Sequence, residues 1–246
     1  MTTLFCFISN YKQLNDCILI HTMKNNSHMK LSRHWLAPLL FSLIPAILLP
    51  EMKAAEEILL PTQDAFIRPG SSADDNFNKA QIEVAGRTRD VNRKIYLQYE
   101  LPRNASGTTG AKLRLTVKGV IANDGDPSEA SVPIRVFAAL HDDPGLWNEA
   151  SITWNNAPGN SSGPMVADEP WVEVGNIDVT LPLTSPNQEL EINLPDLPPL
   201  LNKGKDVYLT LILTPATQKV DAPGLYFHST QVAGKQDLWP TLILTR

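Results

Sequence analysis

The chain has 246 residues, with 21 lysines and arginines against 26 aspartates and glutamates, for a formal net charge of −5. Five of those cations and two of the anions precede residue 55, so the rest carries 16 against 24, a net charge of −8. An acidic chain without a long basic run lacks the footprint that a phosphate backbone demands, which excludes a general nucleic-acid binder.

From Met29 the chain reads MKLSRH, then WLAPLLFSLIPAILLP, then EMKAAEE. A basic start, an apolar middle and a small-residue end form the layout of a secretory signal peptide. The apolar run from Trp35 to Pro50 falls short of the roughly 20 residues a spanning helix needs, and it holds three prolines. The expectation is a signal over 29–54, cleaved near Ala54, and a secreted or envelope-bound product with no membrane segment of its own. Residues 1–28 are then an N-terminal extension, absent if the true start is Met29 and cut to residues 23–28 if it is Met23. Both cysteines, Cys6 and Cys17, precede the cleavage point, so the exported chain holds neither a disulfide nor a cysteine-ligated metal. Residues 55–246 are long enough to bury one core without such staples and are read as a single domain.

Beyond residue 56 the apolar period is two, not 3.6. RKIYLQYEL (93–101) sets Ile95, Leu97, Tyr99 and Leu101 against Lys94, Tyr96, Gln98 and Glu100. AKLRLTVK (111–118) sets Leu113, Leu115 and Val117 against Lys112, Arg114 and Lys118. VPIRVFAAL (132–140), ELEINL (189–194), DVYLTLIL (206–213) and TLILT (241–245) repeat the habit, and shorter runs lie at 57–60, 64–68, 80–85, 171–174 and 177–182. Turn residues separate them, as in Arg68-Pro69-Gly70-Ser71 and Asp143-Pro144-Gly145. Ten or more alternating strands predict an all-β fold, an antiparallel β-sandwich of jelly-roll type. The proline-rich PDLPPLLN (195–202) is a loop or one helical turn.

Residues that carry chemistry are sparse. There is no Gly-x-Ser-x-Gly elbow and no His-Glu-x-x-His helix, and only His141 and His228 follow the signal. Glu149, Asp142, Asp143 and Glu173 offer carboxylates for glycoside hydrolysis, but an acidic sandwich supplies such groups without any cleft. Asp74, Asp75 and Asn76, Asn123 to Asp126, and Asp142 with Asp143 are oxygen-rich loops, the first a candidate for a structural Ca²⁺; the same residues also cap turns. No other cofactor is expected. Arg87, Arg89, Arg93 and Lys94 straddle one turn, and Arg114 shares the polar face of the next strand with Lys112 and Lys118. Neighbouring strands would assemble these into a cationic strip suited to carboxylates, or into a solvated face balanced by acids. Arg93 has the parity of the dry face, so a carboxylate such as Asp64 or Asp90 should pair with it.

Several stretches resemble one family. DAFIRPGSSADDNFNKAQIEVAG (64–86), NRKIYLQYEL (92–101), AKLRL (111–115), WNEASITWNNAP (147–158), and LYFHST (225–230) followed by WPTLIL (239–244) are similar, in this order, to the motifs of DNRLRE-domain proteins, which include carbohydrate-binding module family 96. The resemblance implies a β-sandwich that binds polysaccharide, an acidic one such as alginate. Its partners would be that glycan and a polysaccharide-degrading enzyme or cell-surface component. Ligand contacts are expected from Arg87, Arg89, Arg93, Lys94 and Arg114 through charge, and from Tyr96 and Trp147 through ring stacking, with Trp171 and Trp239 as further aromatic candidates. Trp154 is expected to plug the sandwich beside Ile152, with Asn155 or a carbonyl taking its N–H, whereas Trp147 is expected to be part-exposed. Two other functions fit the residues: a structural or adhesive surface protein, and a small lyase or hydrolase using His141 or His228 with Tyr226.

Overall fold

The computed structural model describes residues 54–87, 92–121, 131–220 and 222–246. Most of the expected leader, both cysteines, Arg89, Asp90 and residues 123–126 lie outside these. Eleven strands carry the described fold: β1 (Glu56–Leu59), β2 (Gln63–Ile67), β3 (Gln81–Gly86), β4 (Asn92–Glu100), β5 (Gly110–Ile121), β6 (Ser131–His141), β7 (Val172–Thr180), β8 (Glu189–Asn193), β9 (Tyr208–Pro215), β10 (Gly224–His228) and β11 (Thr241–Thr245). The proline-rich segment forms a short helix, α1 (Leu197–Leu201). No helix among the described residues is long and apolar enough to cross a membrane.

The strands run β1-β11-β5-β10-β3-β4-β9-β6-β7, with β2 also on β4 and β8 also on β5. The layer curls over because two strands change partners along their length. In β4, Asn92 and Arg93 pair with β3, and the residues beyond them pair with β2 and β9. In β5, the first half pairs with β11 and the second with β10. The curled faces enclose a core of Val84, Leu97, Leu115, Val136, Leu211 and Phe227, among others. The result is an all-β antiparallel sandwich. The runs 171–174 and 177–182, expected as separate strands, are joined in β7 through a bulge where the register moves from Val136↔Gly175 to Phe137↔Glu173. Gly175, at this bulge, lets the end of β8 come close, since a Cβ there would sit 2.4 Å from the Asn193 carbonyl oxygen.

A second apolar cluster covers the other side of β2, β4 and β9. Ala65, Ile67, Tyr96 and Ile212 face Trp147, Ile152, Val166 and Trp171 from the strandless segment 142–171. β4 is therefore buried on both faces, which corrects the expectation that Lys94, Tyr96 and Gln98 stand in water. Trp147 corrects another: it is 5% exposed, and its indole N–H donates to Thr210 Oγ1 at 3.1 Å. Ser151 lies in a turn, and Ile152 and Thr153 belong to no regular element. Trp154 is only half-buried, packed against the second cluster alongside buried Ile152. Asn155 turns away to donate to Asp74 Oδ1 at 2.7 Å.

Candidate functional site

The residues expected to hold a ligand separate into a buried set and an accessible one. Lys94 is fully buried, and its Nζ donates to Asn160 Oδ1 (2.8 Å), Ser161 O (2.9 Å) and Met165 O (2.5 Å). The same ammonium lies 4.9 Å from the Trp154 ring centroid, a cation–π contact. Burial pushes its pKa down to about 7. Lys94 thus pins the 142–171 segment to β4 and offers no donor to a ligand. Tyr96, also fully buried, donates to Pro158 O at 3.0 Å and edges against Trp147. Neither ring, nor the buried Trp171, presents a face on which a sugar could stack.

The family-like motifs meet at a buried carboxyl. Asp64 accepts from Thr230 N (2.7 Å) and Thr230 Oγ1 (3.0 Å), while its own N–H donates to Glu149 Oε2 (3.1 Å). Through its backbone N–H and its carboxylate, this one residue joins the first motif to the tryptophan-rich motif and to the closing Ser-Thr pair. Burial pushes the Asp64 carboxyl up to about 6, with the Thr230 bonds opposing and the Glu149 charge adding to the rise. Two of the other candidate acids are likewise engaged in the scaffold: Glu173 with Arg135 at 2.5 Å, and Asp143 capping Gly145 N at 2.8 Å. His141 uses both ring nitrogens, on Asp143 O (2.7 Å) and Thr210 Oγ1 (2.9 Å). Asn76 donates to Glu149 O and Ile152 O and accepts from Asn78 N, so its amide serves the loop. Among the described residues no group of three His, Cys, Asp or Glu side chains converges to hold a metal ion.

The accessible set stands on the outer face of β3, β10 and β5. Leu225 and Phe227 point into the main core, so Tyr226 and His228 point outward, and Gln81 and Glu83 do the same on β3. Tyr226 is opposite Glu83 on one side and Gly119 on the other; His228 is opposite Gln81. Glu83 holds Arg93 at 2.5 Å, in place of the expected Asp64; Asp90 lies outside the described residues. Gln81 donates to Glu83 Oε1 at 2.9 Å and accepts from Lys118 Nζ at 2.9 Å, which makes the exposed Lys118 side chain arch across β10. Arg114 continues the row along β5, half-exposed, opposite Thr241 and Glu191. Arg87 sits at the end of β3, with its Nε on Ala222 O at 3.1 Å.

His228 is 9% exposed; its Nε2 meets Asn187 Oδ1 at 2.9 Å, and its buried Nδ1 has no partner among the described residues. Burial, then the Lys118 and Lys235 ammoniums, lower its pKa, and Asp237 opposes them. Sequence reasoning passed over Gln81, Asn187 and Lys235 as contributors here. The polar parity of Arg114 and Lys118 on β5, and the outward parity of Tyr226 and His228 around Phe227, were the signals for this face. Two hollows lie elsewhere, one of about 480 Å³ lined by Glu173, Asn176, Asn193 and Asp196, the other of about 520 Å³ lined by Arg103, Leu140, Lys205 and Asp206.

An antiparallel sandwich with a half-exposed ring, cations and amides on one open sheet face has the build of a carbohydrate-binding module. The chain matches the model of carbohydrate-binding module family 96 over residues 55–187, more than half its length, and belongs to that family. Gln81, Glu83, Arg93 and Lys118 fall within the match, and Tyr226, His228 and Lys235 beyond it. No curated protein matches the chain.

Proposed function

We propose that this module binds an acidic, uronate-rich polysaccharide of the alginate kind outside the cell and carries out no chemistry on it. The observation that carries this reading is Tyr226, half-exposed on the outer face with Lys118 reaching across its strand and the Glu83–Arg93 pair beside it. A ring supplies an apolar floor for the C–H face of a sugar, and ammonium and guanidinium groups grip carboxylates. Export follows from the signal-like segment 29–54, and a natural partner is a polysaccharide-degrading enzyme or a cell-surface component.

A lyase is the second reading, favoured by Tyr226 and His228 sharing a face. The histidine argues against it, because one ring nitrogen is tied to Asn187 and the other is sealed from solvent. Neither is presented to a substrate proton.

Calorimetric titration of residues 55–246 with alginate, polygalacturonate and a neutral glucan tests the proposal. The acidic polymers should bind, more weakly as salt rises. Lys118→Ala and Arg114→Ala should each lower affinity about tenfold without moving the thermal midpoint. Equal indifference to all three polymers would remove acidic-glycan binding; release of unsaturated products would replace it with the lyase.

A further inference from the structure

We propose that the hollow of about 520 Å³ lined by Arg103, Leu140 and Lys205 is a second glycan site, and that it takes a neutral sugar residue. Its walls are the turn that follows β4 and the loop between α1 and β9, with Leu140 at the end of β6 between them. Leu101 and Leu201 belong to the main core and Leu140 packs against it, so the floor of the hollow is the edge of that core. Backbone bonds fix both walls. Leu101 N donates to Val207 O at 2.7 Å and ties one wall to the other, while Ala105 N on Pro102 O (2.9 Å) and Lys203 N on Leu200 O (3.1 Å) hold the two bends. Gly204 lets its loop lie directly on Leu140, since a Cβ there would sit 2.6 Å from Leu140 Cδ1. A preformed cleft of this size, with an apolar floor and a few polar groups, has the form of a small-ligand site.

The rim decides the ligand. Arg103 and Lys205 supply cations, Glu100 and Asp206 carboxylates, and among the described residues none of the four side chains enters an ion pair or a hydrogen bond. Arg93, Lys112, Arg135 and Arg246, by contrast, each hold an acid. Cations only donate and carboxylates only accept, whereas a sugar hydroxyl does both, so two of each can serve the hydroxyls of one ring. The C–H face of that ring would cover the leucine floor. The four charges sum to zero, which suits a neutral residue; a uronate would bring its carboxylate beside Glu100 and Asp206, a like-charge penalty. Membership in a carbohydrate-binding family makes a sugar the ligand of this chemistry, and the first wall and Leu140 fall within the matched residues.

Amide chemical-shift mapping of the 55–246 chain with cellotriose, laminaritriose and mannotriose tests the site. At least one of the three should give saturable shifts at 100–106, 140 and 201–207 and leave 81–83 and 224–228 unmoved. Arg103→Ala and Asp206→Asn should each lower its affinity about tenfold without moving the thermal midpoint. Lys118→Ala should bind it like the parent. If all three probes leave the hollow unshifted, or if both rim variants bind like the parent, the second site is wrong and the acidic-glycan reading is untouched. Shifts at the hollow with trigalacturonate and with none of the neutral probes would overturn the neutral preference. If acidic polymers fail while a neutral trisaccharide binds here, the hollow stands and the acidic reading falls.

Discussion

Burial shifts the titration of both Lys94 and Asp64, and both residues serve the scaffold. Lys94→Ala leaves three oxygen acceptors without their donor, so it should cost about 2–4 kcal/mol in urea unfolding. Glycan affinity should not change, whereas a ligand-contacting lysine would show the opposite pair of results. The pH dependence separates the two groups. The Asp64 carboxyl holds its proton up to about pH 6 in the folded chain, against 3.8 ordinarily, so stability should fall as pH rises from about 4 to 6. Lys94 releases its proton near pH 7 when folded, against 10.5 ordinarily, so stability should rise as pH climbs from about 7 to 10. Asp64→Asn should flatten the acid limb, by an amount on the order of 2–3 kcal/mol, and Lys94→Ala the alkaline limb. Thermal melts across that range read both. Strand parity set Lys94 on a polar face, and nothing local contradicted it; its covering residues, Trp154 to Met165, lie 60 or more positions away.

At the level of elements, the segment 142–171 is what alternation alone did not reveal. It contains no long periodic run, so WNEASITWNNAP suggested aromatic surface as readily as architecture. The strands themselves were legible where one face stays wet: β5 alternates Leu113, Leu115 and Val117 with Lys112, Arg114 and Lys118. Alternation failed on β4, whose second face is roofed by a distant stretch of chain. Gly159 tests the roof. Its φ is +67°, and a Cβ there would meet the Trp171 indole nitrogen at 2.2 Å. Gly159→Ala should therefore combine backbone strain with overpacking and destabilise by about 2–4 kcal/mol. Hydrogen exchange should show amides of 142–171 losing protection first, with β10 and β11 unaffected.

For the molecule as a whole, the all-β sandwich and the carbohydrate-binding family were readable from strand spacing and motif order, because both are written in local sequence. The face proposed for binding was not, because curling brings β3, β10 and β5 together from three separate parts of the chain, and it replaces the buried Lys94, Tyr96 and Trp147 with Lys118 and Tyr226 as the accessible groups. The central claim is that an acidic glycan lies on this face. Amide chemical-shift mapping of the 55–246 chain during titration with an alginate oligosaccharide tests it most directly. Perturbations concentrated at 81–83, 114–119 and 224–228 are the predicted result. Shifts confined to the 142–171 segment, or to either hollow away from the face, would contradict it.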